Sequence, residues 1–81
     1  MTVPRGTSVS TTINSVDYSG HAINQMQRRG VPPSVVQNTI QNGAIYPTAA
    51  GTTGYYDSAN NIRVITNSNT GRVVTVIPGA P

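Results

Sequence analysis

The pattern of apolar and polar residues is clearest near the C-terminal end of the chain. Residues 62–66 (IRVIT) and 73–77 (VVTVI) are the clearest strand candidates, and alternate residues along each of them share one face of the strand. The polar segment between them, residues 67–71 (NSNTG), has a glycine near its end, as hairpin loops often do. The pattern therefore predicts an antiparallel hairpin over residues 62–77.

Two shorter segments in front of this hairpin also favour strands. They are residues 44–46 (AIY) and 55–57 (YYD), and a loop rich in glycine and threonine, residues 47–54, separates them. Residues 58–61 (SANN) are typical of a turn between strands. Together with the hairpin, these segments predict an antiparallel meander of roughly four strands.

The middle of the chain has the period of a helix. The first helix is predicted to begin after Ser19, a good N-terminal capping residue, and to end at Gly30, a good left-handed terminator. Its apolar and polar residues lie on opposite faces. The apolar face has Ala22, Ile23 and Met26, and the polar face has His21, Asn24, Gln25 and Arg28.

A second helix is predicted to start at Pro33, because proline is favoured at the first helical position, and to stop before Gly43. Residues 1–17 are rich in serine and threonine and predict a polar linker or tail, at most partly ordered. The expected fold class is α+β, with two short N-terminal helices packed on a roughly four-stranded antiparallel sheet. We expect a single domain over residues 18–81, within a longer protein.

Two registers are open to the C-terminal hairpin, and they place one arginine differently. The preferred register pairs residue 62 with 76 and residue 64 with 74, because it gathers four apolar side chains on one face: Ile62, Val64, Val74 and Val76. Arg63 then faces Thr75 directly on the other side of the sheet. A slip of one residue would instead place Thr75 against Val64.

The charged residues limit the chemistry. The chain has five arginines, two aspartates and one histidine, and no lysine, glutamate or cysteine, for a net charge of +3. These residues cannot supply the ligands of a zinc or two-metal site, nor the lysine of a P-loop. We therefore expect no metal site and no cofactor, so that catalysis must rest on His21, arginines, hydroxyls and amides. No apolar run approaches the ~20 residues of a membrane-spanning helix.

The basic charge leaves several partners open. A surface whose cations are all guanidinium groups suits phosphates, which the planar guanidinium binds through two parallel hydrogen bonds. An acidic protein partner fits equally well, and a net charge of +3 also serves solubility alone.

Three segments together resemble a known group of toxins. They are HAINQMQRRGVPPSVVQNTIQNG, GYYD and NNIRVITNSNTGRVVTVI, and the likeness covers roughly residues 18–79. They are similar to toxin modules at the C-termini of bacterial contact-dependent inhibition and Rhs-type polymorphic toxins. More broadly, they resemble the BECR ribonuclease superfamily, which groups barnase, EndoU, colicin and RelE nucleases.

The resemblance implies a metal-independent RNA-cleaving site on the exposed face of an antiparallel sheet. Such enzymes use the ribose 2′-hydroxyl to attack the adjacent phosphate and leave a 2′,3′-cyclic phosphate. By this resemblance His21 would be the general base or acid, since imidazole transfers protons near neutral pH. Arg63, with Arg28 as a second candidate, would stabilise charge on the phosphate, and Thr75 would position phosphate or ribose.

The aromatic and remaining basic residues complete the implied site. Tyr56, or its neighbour Tyr55, would stack on a base or serve as the second proton donor. Arg28, Arg29 and Arg72 would contact the substrate. Each has an ordinary structural explanation as well, because cations in a last helical turn complement the helix dipole and tyrosine is a common strand residue.

The chain departs from the resembled pattern in having one histidine where EndoU-like enzymes use a pair. A tyrosine, an arginine-assisted step or water must then replace the second imidazole. The first hypothesis is a toxic ribonuclease domain of a larger secreted or cell-surface protein, acting on transfer RNA or another structured RNA in the target-cell cytoplasm. An acidic immunity protein would be its partner. The alternatives are a non-catalytic RNA- or protein-binding module and a purely structural domain.

Overall fold

The computed structural model describes residues 10–81, which form two helices and six strands. In chain order the elements are β1 (Thr11–Ile13), β2 (Val16–Tyr18), α1 (Gly20–Arg29), α2 (Pro33–Asn42), β3 (Ala44–Tyr46), β4 (Thr52–Asp57), β5 (Ile62–Asn67) and β6 (Val73–Pro78). The strands form one sheet in the order β1-β2-β6-β5-β4-β3. All neighbours are antiparallel except β2 and β6, which are parallel.

The predicted α+β class is confirmed, but two details of the predicted architecture are wrong. The sheet has six strands and is mixed, and the helices are not N-terminal because β1 and β2 precede them. These strands occupy residues 11–18, most of which were expected to lie in the polar tail, and residues 1–9 of that tail lie outside the described residues. The β1–β2 connection is a two-residue turn in which Asn14 and Ser15 both have positive φ, of 51° and 66°.

The short strands were missed because three residues are too few to show an alternating pattern. Their place in the sheet comes instead from the pairing of Tyr18 with Val73, residues far apart in the chain. Tyr18 is fully buried in the core, so that β2 covers the start of β6 from the side. Parallel pairing of this kind leaves no local signal in the sequence.

The predicted helix ends are confirmed for α1. Ser19 caps its N-terminus, where the Ser19 hydroxyl accepts a hydrogen bond from the Ala22 N–H, and Gly30 ends it in the left-handed conformation with φ 66°. The first residue of β4 differs from the prediction, since the strand starts at Thr52 instead of Tyr55. Pairing with β5 overrides the weak strand preference of the glycine- and threonine-rich segment.

The hydrophobic core lies between one face of the sheet and both helices. α1 packs against β6, and α2 packs against β4 and β5. The buried apolar side chains come from every layer, and they are Tyr18, Ala22, Met26, Val36, Ile62, Val64, Val73 and Val76. Because both helices cover the same face, the other face of the sheet has no helix packed on it within residues 10–81.

The predicted register of the last hairpin is wrong by two residues. Val64 pairs with Val76, Ile65 with Thr75, and Arg63 with Ile77, so Arg63 does not face Thr75 directly. A register shift between Ile65 and Thr66 then brings Thr66 opposite Val73. The shift buries Val73 completely and leaves Val74, a predicted core residue, 36% exposed.

We call the uncovered side of the sheet the open face. Residues directly opposite one another on paired strands point to the same side. The pairing therefore defines two rows that run across the open face, one of Tyr46, Gly54, Ile65 and Thr75 and one of Ala44, Tyr56, Arg63 and Ile77.

Candidate functional site

A glutamine side chain joins α1 to the edge of β6. The Gln25 Oε1 atom accepts hydrogen bonds from the Thr75 hydroxyl at 2.5 Å and from the Val76 N–H at 2.8 Å. β2 pairs with β6 only at Val73, so this part of the β6 edge has no neighbouring strand among the described residues. Gln25 thus supplies the acceptor that a strand would otherwise provide.

Ser19 attaches the beginning of α1 to the beginning of the same strand. Its N–H donates to the Val73 carbonyl at 2.8 Å, and its hydroxyl donates to the Val74 carbonyl, also at 2.8 Å. α1 therefore starts beside Val73 and Val74, and Gln25 reaches Thr75 one and a half turns later.

His21 lies one turn before Gln25 on the exposed side of α1. Residues four apart on a helix are neighbours, and residues seven apart are about 20° apart around the axis. His21 and Arg28 therefore point in nearly the same direction, with Gln25 between them. We call these three residues the edge strip, which borders Thr75 through Gln25.

The hydrogen bonds of Gln25 and Thr75 determine what each can offer a ligand. Both bonds of Gln25 end on its Oε1 atom, and no hydrogen bond of its Nε2 amide with the described residues is observed. That amide can donate to an anion. The Thr75 hydroxyl already donates its hydrogen bond to Gln25. Toward a ligand its oxygen therefore serves as an acceptor, for example of a hydrogen bond from a ribose hydroxyl.

The sequence assigned Gln25 to the polar face of α1 but did not single it out as a site residue. The signal that could have identified it is its position at the border between the apolar and polar faces. What it contacts depends on the free edge of β6, which no local pattern reveals.

Arg63 is engaged with the end of β6 instead of with Thr75. Its Nε atom donates to the Gly79 carbonyl at 3.0 Å, and its Nη2 atom is 3.4 Å from the Pro78 carbonyl. These bonds hold the chain where the strand ends. Guanidinium has five N–H donors, so the group retains donors for a phosphate while it makes these contacts.

The two neighbouring tyrosines are on opposite sides of the sheet. Tyr56 lies on the open face opposite Arg63, and its hydroxyl donates to the Asn61 Oδ1 atom at 3.1 Å. Tyr55 pairs with Val64 and lies on the helix side. The two residues are therefore not interchangeable, and Tyr56 is two strands away from Thr75.

The arginines have no carboxylate partner in the part of the chain that the structure describes. Asp17 accepts a hydrogen bond from Thr12, and Asp57 accepts hydrogen bonds from neutral groups alone. Arg28 and Arg29 are exposed at the end of α1, and Arg72 is exposed just before the start of β6. Arg63 is held at the end of β6 by the Gly79 carbonyl. The four described arginines therefore surround the site without being neutralised by a carboxylate.

A sequence model of one family matches residues 18–78, and the family is described as a domain of unknown function, DUF4258. The chain belongs to this family. No curated protein matches the chain. The match spans α1 to β6 and includes all eight predicted site residues, whereas β1 lies outside it.

Asp57 has a structural role in this DUF4258 domain. Its carboxylate accepts hydrogen bonds from the Asn60 side chain at 2.8 Å and from the backbone N–H groups of Ala59 and Asn60 at 2.9 and 3.3 Å. The Asn60 side-chain bond contributes most to lowering the pKa of Asp57 below its ordinary value, because these donors stabilise the charged form. The carboxylate thus holds the turn between β4 and β5.

Two further properties of the DUF4258 domain bear on its chemistry. Across residues 10–81, no three side chains of the His, Cys, Asp or Glu type come together as a group that could hold a metal ion. Neither of the helices that the structure describes has the length and apolar character required to cross a membrane.

Proposed function

We propose that this domain is a metal-independent endoribonuclease whose active site is the edge strip of α1 together with Thr75. The observation that carries the proposal is the bridge from Gln25 to Thr75, which places a histidine, an amide donor and a hydroxyl acceptor around one strand edge. Arg28 adds a cation to the same side of the helix. This set of groups matches the needs of a phosphate diester and its ribose.

The proposed reaction is an intramolecular transesterification. The ribose 2′-oxygen forms a bond to the adjacent phosphorus while the bond from phosphorus to the 5′-oxygen of the next nucleotide breaks. The 2′-hydroxyl proton goes to a base, and the departing 5′-oxygen takes a proton from an acid. The products are a 2′,3′-cyclic phosphate and a 5′-hydroxyl.

His21 carries out one of these proton transfers, and water carries out the other. Tyr56 is a poor candidate for the second transfer, because its hydroxyl is bonded to Asn61 two strands from Thr75. The Gln25 Nε2 amide and the Arg28 guanidinium donate to the phosphate oxygens on which negative charge develops. Arg63 contributes positive charge near the end of β6 while it holds Gly79.

The biological setting follows from the resemblance described above. The domain would act as the toxic part of a larger secreted or cell-surface protein, with transfer RNA in the target-cell cytoplasm as its expected substrate. The described arginines, which have no carboxylate partner within residues 10–81, suit an acidic immunity protein that covers them.

The test is incubation of the purified chain with total RNA and with transfer RNA in the presence of EDTA. We expect cleavage products that end in a 2′,3′-cyclic phosphate. His21→Ala should abolish cleavage with an unchanged circular dichroism spectrum, whereas Arg72→Ala, at an exposed position just before β6, should retain most of it. RNA that stays intact, or cleavage that EDTA abolishes, would contradict the proposal.

One observation favours a second candidate, a non-catalytic RNA-binding module that uses the same surface. The chain has a single histidine, and Tyr56 is bonded elsewhere, so one of the two proton transfers lacks a side chain. Under this alternative the wild-type chain binds RNA without cutting it, and His21→Ala changes neither result.

A further inference from the structure

Tyr46 forms an aromatic surface on the open face that the sequence did not single out. A Cβ atom placed on Gly54, its partner on β4, would lie 2.6 Å from Cζ and 2.8 Å from Cε1 of Tyr46. The Tyr46 ring therefore covers Gly54, and the ring fits there because glycine has no side chain. The same Cβ would lie 2.7 Å from the Thr48 Cγ2 atom, so Thr48 also lies over the glycine.

The Tyr46 hydroxyl does not explain this arrangement. Its oxygen is buried and has no hydrogen-bond partner in the described part of the chain, while the residue as a whole is half-buried. The part of Tyr46 that solvent reaches is therefore not its hydroxyl. A partly accessible aromatic ring that packs on a glycine is suited to stack on a nucleobase.

Tyr46 stands in the same row of the open face as Thr75. The row crosses from Tyr46 to Gly54, then to Ile65, and ends at Thr75, where Gln25 is attached. Three strand spacings separate the two ends, which is about 14 Å. Arg63 lies in the adjacent row. Asp17 also points to the open face, because its neighbour Tyr18 is buried on the helix side, but it lies on β2, outside this row, and accepts a hydrogen bond from Thr12.

We propose that Tyr46 is a base-stacking residue and that the ligand of the open face is single-stranded RNA. This inference rests on the proposed function, because the scissile phosphate is taken to lie at the edge strip. A flexible single strand with unstacked bases covers the distance from Thr75 to Tyr46 in a few nucleotides. A duplex cannot do so, because its bases are stacked on one another and do not offer their faces.

The ligand is assigned as RNA instead of an apolar peptide because of the charges around the row. Arg63, in the adjacent row, and Arg28, on the edge strip, have no carboxylate partner among residues 10–81, and the row itself has an aromatic ring at one end and a hydroxyl at the other. Base stacking tolerates every sequence, since each base has a π face. The residue should therefore favour unpaired regions without favouring one base.

The experiment measures binding separately from cleavage. The His21→Ala chain, which leaves RNA intact, is titrated into a fluorescent, unstructured oligoribonucleotide and into the same strand paired with its complement. We expect preference for the single strand. Tyr46→Leu should weaken that binding by roughly 5- to 150-fold, the equivalent of ~1–3 kcal/mol for a stacked base.

Three further variants keep the test decisive. Tyr46→Phe should bind like the parent, because the hydroxyl has no partner. Tyr55→Leu, on the helix side of the sheet, should also bind like the parent. Tyr46→Trp introduces the only tryptophan of the chain, whose fluorescence should be quenched by single-stranded RNA and not by the duplex.

The outcomes separate this inference from the proposed function. Unchanged RNA binding in Tyr46→Leu, or equal binding of duplex and single strand, overturns the inference even where the wild-type chain cleaves RNA. Tryptophan quenching and Tyr46-dependent binding without any cleavage by the wild-type chain support the stacking site and overturn the ribonuclease proposal. If Tyr46→Leu fails to fold, the tryptophan variant decides the question.

Discussion

The Thr75 hydroxyl donates to the Oε1 atom of Gln25 at 2.5 Å, across 50 residues of sequence. Through this bond and the Val76 N–H, a helix that presents a histidine is attached to the outer edge of β6, which has no strand neighbour beyond Val73 on that side in the described chain. The attachment uses one end of the Gln25 amide and leaves the other for a ligand. The two contacts proposed for a ligand here, a donor from the Gln25 amide and an acceptor from the Thr75 oxygen, both follow from this arrangement.

The first prediction concerns the two ends of that amide. Gln25→Glu retains an oxygen that accepts from Thr75 and Val76 but replaces the Nε2 donor with a second, negative oxygen. We expect ribonuclease activity to fall by roughly 100- to 1,000-fold, as for loss of one donor to a developing anion. The measurement is cleavage rate in EDTA, with circular dichroism to show that the fold is retained.

Gln41→Glu is the matched control, because it makes the same change of charge on an exposed position of α2. It should cleave at close to the wild-type rate. Equal losses in the two variants would show that net charge, and not the Gln25 amide, determines the rate.

The second prediction concerns the attachment of α1 at its beginning. Ser19→Ala removes both the N-terminal cap on the Ala22 N–H and the bond to the Val74 carbonyl. We expect the free energy of unfolding to fall by ~1–2 kcal/mol, the usual cost of losing such a cap. Urea denaturation measures it. The control is Ser34→Ala in the first turn of α2. The capping residue of that helix is Pro32, and no side-chain hydrogen bond caps the helix, so the urea midpoint should stay unchanged.

The third prediction concerns acid stability. The Asn60 side chain and the backbone N–H groups of residues 59 and 60 lower the pKa of Asp57 in the folded state. A carboxyl with a lowered folded pKa stabilises the fold above its unfolded pKa, and this stabilisation is lost as the pH falls through the folded value. Urea midpoints measured from neutral pH downward should therefore decline below about pH 4, the ordinary range of an aspartate.

Asp57→Asn and Asn60→Ala identify the source of this decline. In Asp57→Asn the acid-dependent part of the loss should be smaller. In Asn60→Ala the pKa of Asp57 should move back toward its ordinary value, so the acid-dependent loss should again be smaller than in the wild type. Asn69→Ala, an exposed position in the β5–β6 loop, serves as control, and a pH profile of Asp57→Asn that matches the wild type would refute the assignment.

The fourth prediction separates the arginines by position. Arg28→Ala should weaken binding of single-stranded RNA and lower the slope of log affinity against log salt by about 0.7, the value for one phosphate contact on a single strand. Arg72→Ala, beyond the start of β6, should change the slope less. Salt titrations followed by fluorescence anisotropy measure both, and identical slopes for the two variants would count against a phosphate site at the end of α1.

Local patterns were sufficient for much of the fold. Ser19 and Gly30 marked the ends of α1, and the alternation in residues 62–66 and 73–77 marked the last hairpin. These signals are local because a cap, a left-handed terminator and a strand with one buried face each depend on a few neighbouring residues. The polar side of α1, which includes His21, followed from the same kind of pattern.

Register and strand neighbours were decided by the tertiary structure. Arg63 was expected opposite Thr75, but the register shift beside Ile65 places it opposite Ile77 and in contact with Gly79. The expected and the observed register both place Val64 opposite a valine, so the residues of the two strands do not by themselves choose between these registers. Packing of Val73 into the core and attachment of Val74 to Ser19 select the observed one, and both depend on residues far away in the chain.

The sequence by itself determined the chemical inventory, which is one histidine, five arginines, hydroxyls and amides, with too few ligands for a metal site. It also determined the α+β class, because helix and strand periods are properties of short segments. The tertiary structure alone decided which of these groups meet. Gln25 reaches Thr75 because β2 is too short to cover β6, and Tyr46 lies over Gly54 because β3 pairs with β4 in that register. Such contacts join separate elements, and no periodicity within one element contains them.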